Sequence, residues 1–277
     1  MTLASCDSRK TAGENPFFTE WDTPHGVPPF DKILPEHFMP AFERGMSLHE
    51  AEIDAITSNK DEATFENTIL AYDDAGQMLA QTELVFGMLC AAETNDRMQA
   101  LQEQAMPLLA AHRDKIRLDD KLFVRVKEVY DRRAALGLDA EQMRLLQKTY
   151  DSFVRAGALL DAEQKARLKE INGQLSLTAV KFGNNILAEN NNFVLELKSD
   201  ELDGLPAGIR DAAREKAQQM GKGDKWVFTL HKPSLIPLLT YSTRRDLREK
   251  IYKAYLNRCN NGDEYDNKQL INDFIRL

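Results

Sequence analysis

Hydrophobic residues recur every three or four positions over most of this chain, and the longest such run lies between residues 139 and 192. This spacing is typical of an amphipathic helix, and it predicts one from about Ala162 to about Glu189. At 1.5 Å per residue the helix would be roughly 40 Å long, so we expect several other helices to pack around it. Its apolar stripe consists of Leu168, Ile171, Leu175, Ala179, Phe182 and Ile186.

The tetrapeptide Asp-Ala-Glu-Gln opens two of the periodic runs, at Asp139–Gln142 and at Asp161–Gln164. In each copy the Asp carboxylate can accept from a free N–H of the first turn, and the Gln side chain can reach back. The sequence therefore predicts the same capping box at the start of two successive helices, and not a duplicated domain.

The same period predicts further helices on both sides of this region. Pro107 should kink or interrupt the helix that contains it. Before this region, the expected helices run from Pro35 to about Thr57, from an N-cap at Thr64 to about Ala92, onward from an N-cap at Asn95, and from Asp119 or Asp120 to near Gly137. After it, we expect a helix from Pro206 to about Met220, a short helical turn at Pro233–Leu239, and a helix that is capped by Thr243 and continues to Arg258.

After Asn192 the hydrophobic period changes from 3.6 to 2. Apolar and other side chains alternate over residues 193–198 and 226–231, which predicts two strands. The connection between them allows parallel or antiparallel pairing. We therefore predict a mostly α fold, a multi-helix array around the long central helix, with a small two-stranded β element near residues 193–231.

Two segments have a different character. Residues 15–40 combine six prolines with the aromatic residues Phe17, Phe18, Trp21, Phe30 and Phe38. This composition predicts an extended strap that packs on a helical body. At the other end, the apolar stripe in Leu270–Leu277 has no stop signal. This predicts that the natural chain continues beyond Leu277.

Composition limits the class of protein. Of the 277 residues, 43% are hydrophobic and 29% are charged, which is typical of a folded protein. The net charge of −8 argues against a general affinity for nucleic acid or anionic membranes. The sequence contains no run of 18 apolar residues, and we therefore predict no transmembrane segment.

The three cysteines, Cys6, Cys90 and Cys259, are widely spaced and odd in number, which argues against a disulfide framework or a cysteine zinc site. Cys90 is expected to be a small core residue. Residues 3–6, Leu-Ala-Ser-Cys, resemble a lipobox in which Cys6 would be acylated, although the charged and apolar regions of a signal peptide are missing. Residues 1–14 are therefore either a disordered lipoprotein tether at the periplasm-facing bacterial envelope or a disordered tail of a cytoplasmic protein.

Candidate catalytic residues are few. A zinc-peptidase helix needs His at i and i+4, so that both imidazoles reach the metal while an intervening Glu activates water. His49 is followed by Glu50, but position 53 is Ile, so we do not expect His49 to be a ligand. The sequence contains no GxSxG motif and no phosphate loop. The residues alone thus indicate no catalytic and no metal-binding residue, and they leave the substrate-binding residues unknown.

Three polar or glycine-rich patterns have structural interpretations. A basic helix could bind peptide carboxylates or an acidic surface, but its interspersed acidic residues favour a solvated face. The glycines at 204, 208, 221 and 223 fit turns and helix ends. The basic residues are Arg244, Arg245, Arg248, Lys250, Lys253 and Arg258, and the asparagines that we predict to mark a helix end are Asn184, Asn185 and Asn190–Asn192.

Several motifs occur in a fixed order over residues 15–277. They are Asn15–Phe18, Thr23–Ile33, Pro35–Phe38, Pro40–Gly45, Thr64–Thr68, Lys181–Asn185, Leu202–Pro206 and Tyr241–Glu249. As an ordered set they resemble the N-terminal half of the thimet oligopeptidase-type zinc metallopeptidases, in particular the bacterial peptidyl-dipeptidase (dipeptidyl carboxypeptidase) branch.

The resemblance implies a two-lobed helical enzyme with a deep channel for short peptides. It also implies a zinc ion held by a His-Glu-x-x-His helix and a later Glu. That segment belongs to the C-terminal half of such enzymes and has no counterpart here, so no catalytic residue can be carried over to this sequence.

Our first hypothesis is that residues 15–277 form the non-catalytic N-terminal lobe of a peptidyl-dipeptidase, truncated before the zinc-binding domain. This lobe would be one wall of the channel, its partners would be short peptides and the catalytic domain of the same polypeptide, and zinc would be the cofactor of the full-length enzyme. We expect no zinc and no activity in this chain alone. The alternatives are a non-enzymatic helical scaffold that binds a peptide or a protein, and an envelope lipoprotein unrelated to proteolysis.

Overall fold

The computed structural model describes residues 14–277, and most of them are helical. The predicted lipidation site Cys6 lies outside the described residues. The mostly α fold with one small β element is confirmed. The helices are α1 (Phe38–Ser58), α2 (Ala71–Asp74), α3 (Gln77–Ala92), α4 (Asp96–Arg117), α5 (Asp120–Asp131), α6 (Ala140–Arg155), α7 (Ala162–Asn192), α8 (Ala207–Gln219), α9 (Lys232–Tyr241), α10 (Arg245–Leu256) and α11 (Lys268–Arg276), and the strands are β1 (Leu195–Leu197) and β2 (Trp226–Phe228).

The chain forms two compact units. The first extends to Leu177 and the second comprises Thr178–Leu277, so the boundary lies within α7. Among the described residues, no helix is both long enough and apolar enough to cross a bilayer.

The first unit is organised around α1, which packs against α3, α4 and α5. Gly45 allows α1 and α3 to approach closely, since an added Cβ there would lie 3.0 Å from the Cα of Leu79. The predicted long helix is confirmed as α7 (Ala162–Asn192), and Leu168, Ile171 and Leu175 on its stripe are half-buried. Periodicity identifies a common face of a helix, but it does not tell what covers that face.

Two apolar clusters fill the first unit. One contains Phe17 from the strap together with Phe38, Phe42 and Phe86, and the other surrounds Phe123 and Phe153. The strap consists of three short 3-10 turns, Pro16–Phe18, Pro24–Gly26 and Pro35–His37. The strap prediction is confirmed for Phe17, whose ring lies 5.4 Å from that of Phe38. Phe30, in contrast, is 46% exposed.

The predicted helix starts agree with the observed caps. Asp139 Oδ1 accepts from Gln142 N at 2.8 Å while Gln142 Oε1 accepts from Asp139 N at 3.1 Å. Asp161 and Gln164 form the same reciprocal pair. Asn95 and Asp119 cap α4 and α5 as predicted.

The single helix predicted from Thr64 to Ala92 is wrong. Thr64 caps a π-helical turn, Phe65–Leu70, which continues into the short helix α2. Gly76 then adopts φ +78°, a left-handed conformation that favours glycine, and α3 begins at the next residue. The amide of Gly76 donates to Glu52 Oε2 at 2.7 Å. The break is thus stabilised by a contact to α1 that the local sequence pattern does not contain.

Two other local predictions need correction. Helix α4 runs through Pro107 from Asp96 to Arg117, so the interruption that was one of the two predicted outcomes does not occur. Helix α5 ends at Asp131, before a 3-10 turn at Arg133–Ala135, although Gly137 is left-handed as predicted.

The second unit has the two predicted strands, and they pair antiparallel with Leu195 opposite Phe228. Leu195 and Leu197 face the core while Glu196 faces solvent. The core also contains Leu238 from α9 and Ile251 from α10.

Thr243 is not the cap predicted for α10. Its hydroxyl instead donates to Asp203 Oδ2 at 2.6 Å, and Arg244 occupies the N-cap position. The expected turn at Pro233–Leu239 is the longer helix α9.

Candidate functional site

A pair of histidines lies between α1 and α4. His49 Nδ1 is 3.0 Å from His112 Nε2, and the two ring centroids are 5.0 Å apart. His112 is only 5% exposed. It lies on the buried face of α4, in register with Ala105, Leu109 and Ile116, and this polar position within an apolar stripe could have indicated a buried partner. The pair is not evident from the sequence alone, because its members are 63 residues apart.

Charged groups surround the two histidines. Glu50 Oε1 lies 3.5 Å from His112 Nδ1, and Glu50 Oε2 binds Lys115 Nζ at 2.8 Å. The pKa of Glu50 is lowered, chiefly by its hydrogen bond from Lys115. The histidine tautomer with a proton on His112 Nδ1 directs that N–H toward the Glu50 carboxylate and leaves Nε2 as acceptor for His49. The arrangement therefore joins α1 to α4 through polar contacts.

The histidine pair does not have the geometry of a zinc site. A catalytic zinc needs three protein ligands that converge on one point. Here the Glu50 carboxylate faces Nδ1 of His112 while His49 faces Nε2, so the three groups do not converge on a common centre. Ile53, at the position of a second zinc ligand, is 3% exposed and belongs to the core. Within residues 14–277, no three His, Cys, Asp or Glu side chains form a group that could hold a metal ion.

The histidine pair predicts that the unfolding free energy of the first unit decreases as the pH is lowered. Burial lowers the pKa of His49, and His112 lowers it further, while Glu52 and Glu50 raise it. Burial also lowers the pKa of His112, against the opposing effect of Glu50 and with smaller lowering effects of Lys115 and Arg113. Because the folded pKa values lie below 6.5, the unfolded chain binds protons first as the pH falls. The stabilisation present above pH 6.5 is therefore lost between that pH and the folded pKa values.

The measurement is the urea unfolding free energy of the first unit between pH 7.5 and pH 5.5. We expect a loss of at most about 1.4 kcal/mol per pH unit for each proton. In the variant His112→Gln, the unfolding free energy should change less steeply with pH. His231→Gln, at an exposed position in the second unit, should keep the wild-type dependence on pH. An unchanged slope in His112→Gln would contradict this interpretation.

The basic residues of α10 and its flanks are mostly paired. Arg244 binds Asp246 through two hydrogen bonds of 2.9 and 2.7 Å, and Lys253 pairs with Glu249. Arg258 donates to Asn190 Oδ1 at 3.0 Å. This arrangement agrees with the interpretation as a solvated charged face. A shallow cleft of about 290 Å³ remains beside this helix, lined by Leu239, Arg245, Arg248, Glu249 and Tyr252.

An apolar groove lies between the second half of α7 and α11. Its volume is about 300 Å³, and its lining consists of Thr178, Ala179, Phe182, Leu270, Ile271 and Phe274. Ile271 is 45% and Phe274 is 52% exposed. The stripe predicted at the end of the sequence is therefore a helix face that remains open to solvent among the described residues.

Asparagines fix the two walls of this groove. Asn267 Nδ2 donates to the carbonyl of Phe182 at 3.2 Å, and Asn185 Nδ2 donates to Asn267 Oδ1 at 2.8 Å. Asn185 and Asn267 are almost fully buried. The predicted helix end is thus correct for Asn190–Asn192, where α7 ends, but wrong for Asn185, which lies inside the helix and binds the segment before α11.

Comparison with known proteins shows that the chain is similar to peptidases. It is 35% identical over 264 residues to the dipeptidyl carboxypeptidase of Escherichia coli, and this match covers 95% of the chain. The dipeptidyl carboxypeptidase of Salmonella typhimurium is 33% identical over 264 residues, also 95% of the chain. Oligopeptidase A of Escherichia coli is 25% identical over 260 residues, 92% of the chain.

No family model matches the chain. The chain spans 39% of the length of each dipeptidyl carboxypeptidase and 38% of that of the oligopeptidase A. The similarities extend over nearly all of the chain and include both kinds of peptidase. They confirm the resemblance of this chain to the thimet oligopeptidase-type peptidases and to their dipeptidyl carboxypeptidase branch.

Proposed function

We propose that this chain is a non-catalytic segment of a zinc-dependent peptidyl-dipeptidase, an enzyme that removes C-terminal dipeptides from short peptides. The observation that carries the proposal is the 35% identity to a dipeptidyl carboxypeptidase over 95% of the chain. The chain spans 39% of that relative, which leaves room for a catalytic domain in a full-length protein. Zinc would be held by that domain, since the donor groups around His49 and His112 do not fit the metal.

In this proposal the segment forms part of the wall of a channel that admits short peptides. Two features support a scaffolding role. The polar groups of the histidine pair and of the basic helix are mainly engaged with neighbouring side chains, and apolar clusters fill both units. Such a segment contributes to catalysis by limiting access and by orienting the peptide, which lowers the entropic barrier to reaction.

The test begins with the reading frame that follows Leu277. We expect a His-Glu-x-x-His sequence within the next few hundred codons. The full-length product should release dipeptides from the C-terminus of a blocked tetrapeptide, lose this activity with a chelator and regain it with zinc. A frame without such a motif, or a full-length product that binds peptides without cleaving them, would contradict the proposal and favour a helical binding scaffold.

A further inference from the structure

The apolar groove between α7 and α11 has the form of a docking site for a helix. We propose that it receives the apolar face of a helix from the part of a full-length peptidase that this chain does not match. The inference rests on the proposed function, because it takes its occupant from the same polypeptide.

The groove is formed before any partner arrives. Buried Asn267 binds the backbone of Phe182 and the side chain of Asn185, and its own amide donates to the carbonyl of Cys259 at 2.8 Å. These hydrogen bonds fix the start of α11 beside the second half of α7. Because the two helices are already positioned, little conformational entropy is lost when a third element binds between them.

The lining favours a helix over a small ligand. Five of its six residues are apolar, and Thr178 supplies the one hydroxyl group. Small-molecule sites usually add several placed polar groups that fix the orientation of the ligand. An apolar channel between two helices instead suits the side chains of a third helix at i, i+3, i+4 and i+7.

The exposed apolar surface at the groove needs a cover. Phe182, Ile271, Phe274 and Ile275 are 37%, 45%, 52% and 75% exposed, and clusters of this kind mark interaction sites. The relatives are about two and a half times as long as the matched segment, since the chain spans 39% of them. The remainder of such a protein is therefore a partner that is always present at high effective concentration.

Maleimide labelling of two variants, each with one added cysteine, tests the proposal. Ala179→Cys places a thiol in the groove lining, and Lys181→Cys places one two positions further along α7, at an exposed site outside the lining. Both variants are made in the 277-residue chain and in the full-length gene product, with circular dichroism to confirm folding. Peptide-level mass spectrometry separates the new thiols from the native cysteines. Phe274→Cys provides a second groove position should Ala179→Cys perturb folding.

We expect similar labelling rates at both positions in the 277-residue chain. In the full-length product, Ala179→Cys should label at least tenfold more slowly, while Lys181→Cys should be unchanged. Equal rates at Ala179→Cys in both proteins would overturn the docking proposal, and dipeptide release by that same product would show that the proposed function survives. Slow labelling in a product without peptidase activity would support docking and refute the function.

Sedimentation of the 277-residue chain tests whether a second copy of the chain occupies the groove instead. A monomer supports the proposal. A dimer that Ile271→Asn abolishes and Ile236→Asn retains would show that a second copy fills the groove, and it would overturn the proposal. Ile236 is a matched control because it is 53% exposed and lies outside the groove lining, on α9.

Discussion

Replacement of Phe153 by Ala should lower the unfolding free energy of the first unit by about 3–5 kcal/mol, the usual effect of removing a buried phenyl ring. Phe153 lies on α6 and is fully buried. Its ring centroid is 6.1 Å from that of Phe123 on α5 and 5.2 Å from that of Tyr72 on α2. The substitution would leave a cavity between three helices, and none of the three can move inward without losing its other contacts.

Urea unfolding followed by circular dichroism measures this effect. The matched control is Val124→Ala on α5, because Val124 is 54% exposed and its truncation should change the free energy by no more than about 0.5 kcal/mol. Similar small effects of both substitutions would mean that Phe153 is not part of a tightly packed core.

Replacement of Gly204 by Ala should destabilise the second unit by about 3 kcal/mol. Gly204 has φ +82°, and an added Cβ would lie 2.2 Å from the carbonyl oxygen of Tyr241. The loop cannot easily withdraw, because the neighbouring Asp203 accepts hydrogen bonds from both the amide and the hydroxyl of Thr243. The substitution therefore combines a strained backbone conformation with overpacking, and each of these typically costs about 1–3 kcal/mol.

Gly208→Ala is the control, since an added Cβ at this helical position meets no atom within 4 Å. It should be neutral or stabilise by up to about 1 kcal/mol. The chain has two tryptophans, and Trp21→Phe would leave Trp226 in β2 as a fluorescent reporter of the second unit. Equal midpoints for the two glycine variants in thermal unfolding would contradict the predicted close contact at Gly204.

The features that sequence reasoning found are those that depend on near neighbours in the chain. Both Asp-Ala-Glu-Gln boxes form as predicted because the donor and the acceptor are three residues apart. The two strands follow from simple alternation, whereas their antiparallel pairing could not be derived because a long connection permits either direction.

The features that sequence reasoning missed depend on contacts between distant segments. The helix break at Gly76 requires Glu52, which lies on another helix. The roles of Thr243, which donates to Asp203, and of Asn185, which binds Asn267, likewise depend on residues 40 and 82 positions away. In each case a polar side chain that could have a role within its own segment instead bonds to a distant residue, and only the fold brings the two together.

The candidate site shows the same division. Ile53 follows Glu50 at the position where a zinc helix would need a second His, and its predicted place in the core is confirmed. The apolar stripe of α11 was also evident in the sequence. The groove was not, because its second wall comes from α7, almost ninety residues earlier in the chain.

The most direct test of the central claim is a side-by-side assay of dipeptide release. The 277-residue chain and the full-length gene product would be incubated with the same blocked tetrapeptide and one equivalent of zinc. We predict release by the full-length product and no release above buffer by the 277-residue chain, which should also retain no zinc after dialysis. Turnover by the 277-residue chain, with one zinc ion bound per molecule, would contradict the account.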